Sequence, residues 1–276
     1  MAMRRWRGSW CAVLGLLLLT LPAVRADGEW RALEAGLELG RFEIPHPADT
    51  RPGIVHVLRI DPAHFRFRLL AASATEERKP RTARGWAVHA GLVATINASM
   101  FQADFLSSVS LMLAPGHVNN PRVSRDKAVL AFDPRSGELP SVRIIDRECD
   151  DFESLRKDYA TLVQSIRMVS CKGRNVWGES ERRWSTALIA TDKAGRVLFV
   201  HVRTPYSTHE LINALLALPL GIDRAMYTEG GVQAQMFVGS GELKREFVGS
   251  FGGSFTATTG GPSVWPVPNV IGIERR

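Results

Sequence analysis

Two short stretches hold residue types that could do chemistry. The first is Thr95-Ile96-Asn97-Ala98-Ser99-Met100-Phe101, leading to Asp104. Asn97 directly follows an apolar run and precedes small residues, as at a strand end that opens toward a ligand. An asparagine amide both donates and accepts, so it can hold a sugar hydroxyl or a phosphate oxygen, or satisfy backbone groups at a turn. The second stretch is Tyr227-Thr228-Glu229-Gly230-Gly231. Here a strand from Arg224 ends in a carboxyl followed by two glycines. Glycines permit positive φ and close backbone approach, and successive N–H groups in such a loop make an anion-binding concavity. Glu229 could be a general acid or nucleophile, with the amides of Gly230 and Gly231 on a phosphate, or a solvated turn residue. Arg203, at the end of an apolar run, is a candidate phosphate contact or an exposed strand-end arginine.

Other signatures are missing. The seven histidines, at 46, 56, 64, 89, 117, 201 and 209, show no zinc spacing with further ligands nearby. No nucleophile elbow, P-loop or dinucleotide fingerprint stands in the right context. Asn97-Ala98-Ser99 is a formal glycosylation sequon, but the apolar strand before it argues for burial.

These residues need strands to position them, and the chain supplies short ones rich in Val, Ile, Leu and Phe: 54–60, 65–72, 92–96, 109–113, 128–132 and 196–202. Residues 186–202 form the clearest hairpin, around Lys193-Ala194-Gly195. Two stripes read as helices. In 152–166, Phe152, Leu155, Tyr159, Leu162 and Ile166 recur at helical steps after Asp150 and Asp151. From Thr208 to Leu218, Ser207 and Glu210 have capping-box spacing, and Pro219 with Gly221 stops the run. The glycine-rich stretch 249–261 reads as a loop. The expected fold is α+β: a largely antiparallel mixed β-sheet with a few packed helices, in a single domain over 27–276.

Residues 1–26 read as a secretory signal peptide: Arg4, Arg5 and Arg7, an apolar run from Trp10 to Val24, then Val24-Arg25-Ala26 at the cleavage site. Cys11 precedes the leucine run, so no lipidated cysteine is expected. Net charge is +7, and the four arginines of 1–26 account for all but +3 of it. With no clustered basic stripe, nucleic-acid binding is not expected, and no apolar stretch beyond the signal is long enough to span a membrane. Export permits disulfides. Cys149 and Cys171 are then the remaining cysteines; a bridge between them would close a loop of about 20 residues, worth about 3 kcal/mol in the loop-entropy view.

The motifs together resemble the phosphodiester glycosidase family, which includes the uncovering enzyme that removes N-acetylglucosamine from mannose 6-phosphate. The chain is similar to a divergent bacterial-type member over about residues 90–273. The resemblance rests on order: Ile96-Asn97-Ala98-Ser99-Met100-Phe101, the 186–202 hairpin, Ser207-Thr208-His209-Glu210-Leu211, Glu229-Gly230-Gly231, Gln235-Met236-Phe237-Val238 and Val267-Pro268-Asn269-Val270-Ile271. There are departures. Glu229 replaces the family's aspartate, carrying the carboxyl about 1.5 Å further out. Ser185 stands where an arginine often begins the hairpin, with Arg182 and Arg183 just upstream. Ser99 replaces a glycine.

The resemblance implies an exported hydrolase, periplasmic or secreted, that cleaves a sugar-1-phosphodiester or related glycosidic bond. Glu229 would be the catalytic carboxylate and Asp104 a second one, since glycoside hydrolysis usually needs two. Asn97, Gly230, Gly231 and Arg203 would bind a carbohydrate or sugar-phosphate substrate. No cofactor is expected, although Glu229 and Asp104 could share a divalent cation. The rival expectation is a glycan- or exopolysaccharide-binding envelope protein without catalysis.

Overall fold

The computed structural model describes residues 28–250 and 264–276. The expected signal peptide, and all of the glycine-rich stretch except Gly249 and Ser250, lie outside them. Strands β1 (Glu29–Glu34), β2 (Leu37–Ile44), β3 (Gly53–Ile60) and β4 (Phe65–Ala71) precede helix α1 (Ala83–Ala90). Next come β5 (Ala94–Asn97), β6 (Met112–Ala114), β7 (His117–Asn120), β8 (Ala128–Pro134) and β9 (Val142–Asp146). Helix α2 (Phe152–Asp158) runs into β10 (Tyr159–Ser165) and β11 (Arg167–Val169). The hairpin β12 (Trp184–Asp192) and β13 (Val197–Tyr206) leads to α3 (Thr208–Ala217) and β14 (Ile222–Gly230). Strands β15 (Gln235–Ser240), β16 (Leu243–Val248) and β17 (Asn269–Arg275) complete the order.

The strands form a seven-stranded sheet, β1-β2-β3-β13-β12-β14-β11, and two five-stranded sheets, β7-β6-β10-β8-β9 and β16-β15-β5-β17-β4. All pairings among the described strands are antiparallel. The fold is the expected α+β class, dominated by strands.

The largest core lies between the sheets. Phe67 of β4 joins all three: its ring centroid is 6.2 Å from Phe132 of β8 and 6.1 Å from Phe199 of β13. Each ring is almost fully buried, worth about 1.5–3 kcal/mol per side chain against exposure. The other face of the seven-stranded sheet packs Leu188 and Val200 against Leu211 and Leu215 of α3. Its central strands are therefore covered on both sides, which explains their near-continuous apolar runs.

Helix α3 starts where expected. The Ser207 hydroxyl accepts from the Glu210 N–H, and the Glu210 carboxylate accepts from the Ser207 N–H. Helix α1 lies outside the two expected helical stripes; Thr82 caps it and Gly91 ends it with φ 66°.

The 152–166 helix needs correction. Only Phe152–Asp158 is helical, and Tyr159–Ser165 is a strand between β6 and β8. Phe152, Tyr159 and Leu162 do share one apolar cluster. The stripe is real, but helix and strand contribute to it jointly. In a strand buried on both faces the alternation vanishes, and a short apolar run then fits either period. The 109–113 strand also shortens, beginning only at Met112.

Cys149 and Cys171 form the expected disulfide, with Cα atoms 6.5 Å apart. It ties the turn before α2 to the segment after β11. Beside it, Asp146 accepts from the Cys171 N–H at 2.9 Å and from Arg167 Nη1 at 2.7 Å. Replacing both cysteines by serine is expected to lower unfolding free energy by about 3 kcal/mol, read as a fall in the urea midpoint. An unchanged midpoint would show that the Asp146 network alone holds this corner.

Candidate active site at the end of β14

Glu229 owes its position to a bulge. Along β14, Glu229 lies opposite Ala187, but Tyr227 lies opposite Leu188, so Thr228 is an inserted residue. Regular alternation would put Tyr227 and Glu229 on one face. The bulge separates them: Tyr227 packs in the α3-side core, while Glu229 shares the face of Ala187, which belongs to the inter-sheet core. The Glu229 residue is only 8% exposed. Among the described residues, its carboxyl is hydrogen-bonded by the neighbouring Gly230 N–H, which donates to Oε1 at 3.0 Å. Burial pushes the Glu229 carboxyl up to about 7, with the Gly230 N–H pulling the other way. The Tyr227 phenol is raised as well, first by burial and then by the Glu229 charge.

The two glycines after Glu229 serve different needs. Gly231 has φ 64° and opens the 3-10 turn Gly231–Gln233. At Gly230 the need is space: a Cβ would lie 2.0 Å from the Tyr227 hydroxyl and 2.8 Å from the Trp184 ring. Gly230, expected to offer its amide to a phosphate, directs that N–H to Glu229.

Asn97 stands at the end of β5 and joins the two motifs. Its Oδ1 accepts from the Gln235 N–H at 2.7 Å, and its Nδ2 donates to the Gln233 carbonyl at 2.9 Å. The side chain, 1% exposed, clamps the turn that follows Glu229-Gly230-Gly231. Of the two alternatives read from sequence, these bonds describe the backbone-satisfying one. The same burial agrees with the reading of the sequon as an internal segment. His201 pins the turn from another side, its Nε2–H donating to the Ala234 carbonyl at 3.2 Å. That bond leaves Nδ1 as a buried acceptor without a partner among the described residues, and burial pushes the ring down to about 3.

Asp104 occupies a contrasting environment. It is exposed, and its carboxylate closes its own turn: Oδ1 accepts from the N–H groups of Leu106 (3.0 Å) and Ser107 (2.9 Å), and Oδ2 from the Ser107 hydroxyl (2.6 Å). The Ser107 hydroxyl and these amides hold its pKa below the usual carboxylate value. The shift of Glu229 comes from burial and not from Asp104.

Arg203 is exposed and donates through Nη1 to the Val248 carbonyl at 3.3 Å. Ser185, at the position of the missing arginine, donates to the Arg203 carbonyl at 2.5 Å and accepts from the Ser250 N–H at 2.9 Å. The upstream Arg183 is bound to the capping Glu210 at 2.8 Å.

Among the described residues, the cluster of potential metal-ligating atoms is Asp146, Cys149 and Cys171, whose two sulfurs are bonded to each other. Neither Glu229 nor Asp104 belongs to such a cluster. A cavity of about 390 Å³ opens elsewhere, between Phe67, Phe132, Asp133 and Arg276.

The phosphodiester glycosidase family profile matches residues 90–274. No curated protein matches the chain. Among solved structures, the catalytic domain of zebrafish N-acetylglucosamine-1-phosphodiester alpha-N-acetylglucosaminidase, auto-inhibited by its pro-peptide, aligns with TM-score 0.62 at 11% identity, over 91% of this chain and 88% of that one. A hypothetical protein from Synechocystis aligns with TM-score 0.62 at 15% identity, over 91% of this chain but only 64% of its own length. A Burkholderia pseudomallei protein described as exported aligns with TM-score 0.52 at 13% identity, over 82% and 75%. These likenesses concern the fold. The profile match spans two thirds of the sequence and takes in Asn97, Glu229 and the strands that hold them, so the chain belongs to the phosphodiester glycosidase family.

Proposed function

We propose that this protein hydrolyses a sugar-1-phosphodiester, or a related glycosidic bond, outside the cytoplasm. The observation that carries the reading is the buried Glu229 carboxyl, with a pKa of about 7, at the mouth of the Glu-Gly-Gly turn of a family member. A carboxyl in that state keeps its proton near neutrality and can act as general acid. In the reaction the C1–O bond breaks and its electron pair stays on the leaving oxygen, which takes the Glu229 proton. Water supplies the new hydroxyl on C1, and its proton returns to the carboxylate. The products are a free sugar and a phosphate monoester. Gly231 and Arg203 are the phosphate contacts in this reading, and Asn97 positions the turn. The disulfide and the exported relative support an extracytoplasmic location.

One observation favours a second reading, a glycan-binding protein without turnover. The other carboxylate, Asp104, is bound to its own turn and does not act on Glu229. Assay of the purified protein on a panel of chromogenic sugar-1-phosphodiesters separates the two. The hydrolase reading expects turnover that falls as pH rises through about 7 and drops by about 100-fold or more in Glu229→Gln. No turnover by folded protein on any donor would favour binding alone.

Burial of Glu229 also predicts a stability profile. Because its folded pKa is raised from 4.5 to about 7, the stability tied to the protonated carboxyl is fully present below about pH 4.5 and is lost as pH rises through about 7. Glu229→Gln keeps the neutral form at all pH values. The variant is expected to melt with wild type at pH 4 and above it at pH 8, by up to about 3 kcal/mol. Parallel melting curves at both pH values would mean that Glu229 ionises freely in the folded state.

A further inference from the structure

A row of residues crosses five adjacent strands at the level of Glu229. Glu229 of β14 lies opposite Ala187 of β12, which lies opposite His201 of β13, then His56 of β3 and Arg41 of β2. Directly opposed residues share a face, and four strand spacings put Arg41 roughly 19 Å from Glu229. The face is the one turned toward the second sheet, since Leu39, Leu58, Phe199 and Ala187 on it belong to the inter-sheet core. The edge strand β16 covers part of the row. The Phe247 ring lies 4.6 Å from the His56 ring and 6.0 Å from the His201 ring. Arg245, two residues before Phe247, places its guanidinium 5.0 Å from that ring and its Nη2 3.5 Å from His56 Nε2.

This strip is contiguous with the Glu-Gly-Gly turn. A Cβ on Gly249 would lie 1.8 Å from the Gly231 carbonyl oxygen and 3.1 Å from the Ser185 Cβ. Ser185 bonds the Arg203 backbone, and the Arg203 guanidinium bonds the Val248 carbonyl, three residues from Arg245. Among the described residues neither Arg203 nor Arg245 has a carboxylate partner. Arg41 at the far end is paired with Glu43 at 3.0 Å. The imidazole between them is pushed down to about 4 by burial and by Arg245 and Arg41, so it adds no charge near neutrality. Two exposed cations without carboxylate partners among the described residues thus lie along a neutral aromatic strip whose row ends at the candidate acid.

Building on the proposed hydrolase, in which Arg203 contacts the scissile phosphate, we propose that Arg245 forms a second anion site, and that the substrate is a glycan carrying a further phosphate or carboxylate beyond the one cut, roughly three strand spacings (about 14 Å) along the row from Glu229. An acidic or sugar-phosphate polymer has this chemistry; a lone neutral sugar on a phosphodiester does not. Arg203 serves the phosphate nearest the scissile bond, and Arg245 reads the added charge.

The test uses the Glu229→Gln protein, so that ligands bind without turnover. Two synthetic probes are compared by calorimetry: an N-acetylglucosaminyl phosphodiester with a neutral alkyl arm, and the same diester with a phosphate monoester on that arm. The second is expected to bind about fivefold more tightly at low salt. Adding Arg245→Gln should bring the ratio toward one, and Arg245→Lys should restore it. Equal affinities, a ratio untouched by Arg245→Gln, or no binding of either probe would overturn the anion site. Turnover of the neutral-arm diester by wild-type protein is scored separately. Its absence with the ratio intact removes the hydrolase and leaves the anion site standing.

Discussion

The site depends on one unfavourable placement: a glutamate carboxyl buried at the end of a strand, opposite an alanine of the main core. Charge there is costly, because burial removes the water that would solvate it and the Gly230 N–H replaces only part of that solvation. The protein can hold the group cheaply only as the neutral acid. A buried neutral acid whose second oxygen has no hydrogen-bond partner among the described residues is also what the proposed protonation of a leaving group calls for. In the proposed reaction, stability and chemistry would be coupled at Glu229, with the bulge at Thr228 as the element that couples them. Without it Glu229 would follow Tyr227 to the α3 side of the sheet.

The rest of the site holds the turn around that carboxyl. Asn97 reaches from the other sheet and takes one donor and one acceptor of the turn backbone. His201 takes a third group, the Ala234 carbonyl, and Gly249 approaches Gly231 more closely than any side chain would allow. Neighbouring sheets thus meet at this turn through hydrogen bonds, not only through apolar contact. Buried backbone groups at a strand end have to be satisfied by something, and here side chains 33 to 138 residues away do it.

Local patterns in the sequence carried much of this. The capping box at Ser207 and Glu210, the 186–202 hairpin and the Asn97 and Glu229 motifs were legible because each is written in a few adjacent residues. The helix over 152–166 failed where the deciding fact is nonlocal: Tyr159–Ser165 becomes a strand because β6 and β8 lie on either side. The meeting of His56, His201 and Arg245 is not legible in the sequence for the same reason. Nothing local marks them, and they meet only through the register of β3 with β13 and the packing of β16 above it. Asp104 shows the converse. Its sequence position beside Asn97 was suggestive, but Asp-x-x-Ser also writes a side-chain-closed turn, and that is what its carboxylate makes.

The departures from the family pattern also have physical counterparts. The longer Glu229 side chain folds its carboxyl back onto the next residue's N–H. Ser185 brings no charge where an arginine often stands, yet its hydroxyl holds the backbone of Arg203, whose guanidinium has no carboxylate partner among the described residues. The cation in this part of the hairpin then stands on β13, with its guanidinium on the Val248 carbonyl, and not on β12. Moving a cation by one strand shifts it by about 4.8 Å, more than the reach of a hydrogen bond. A substrate held by Arg203 would therefore sit differently over Glu229 than one held from position 185. The longer carboxyl and the displaced cation are changes in the same geometry, and each makes more sense beside the other than alone.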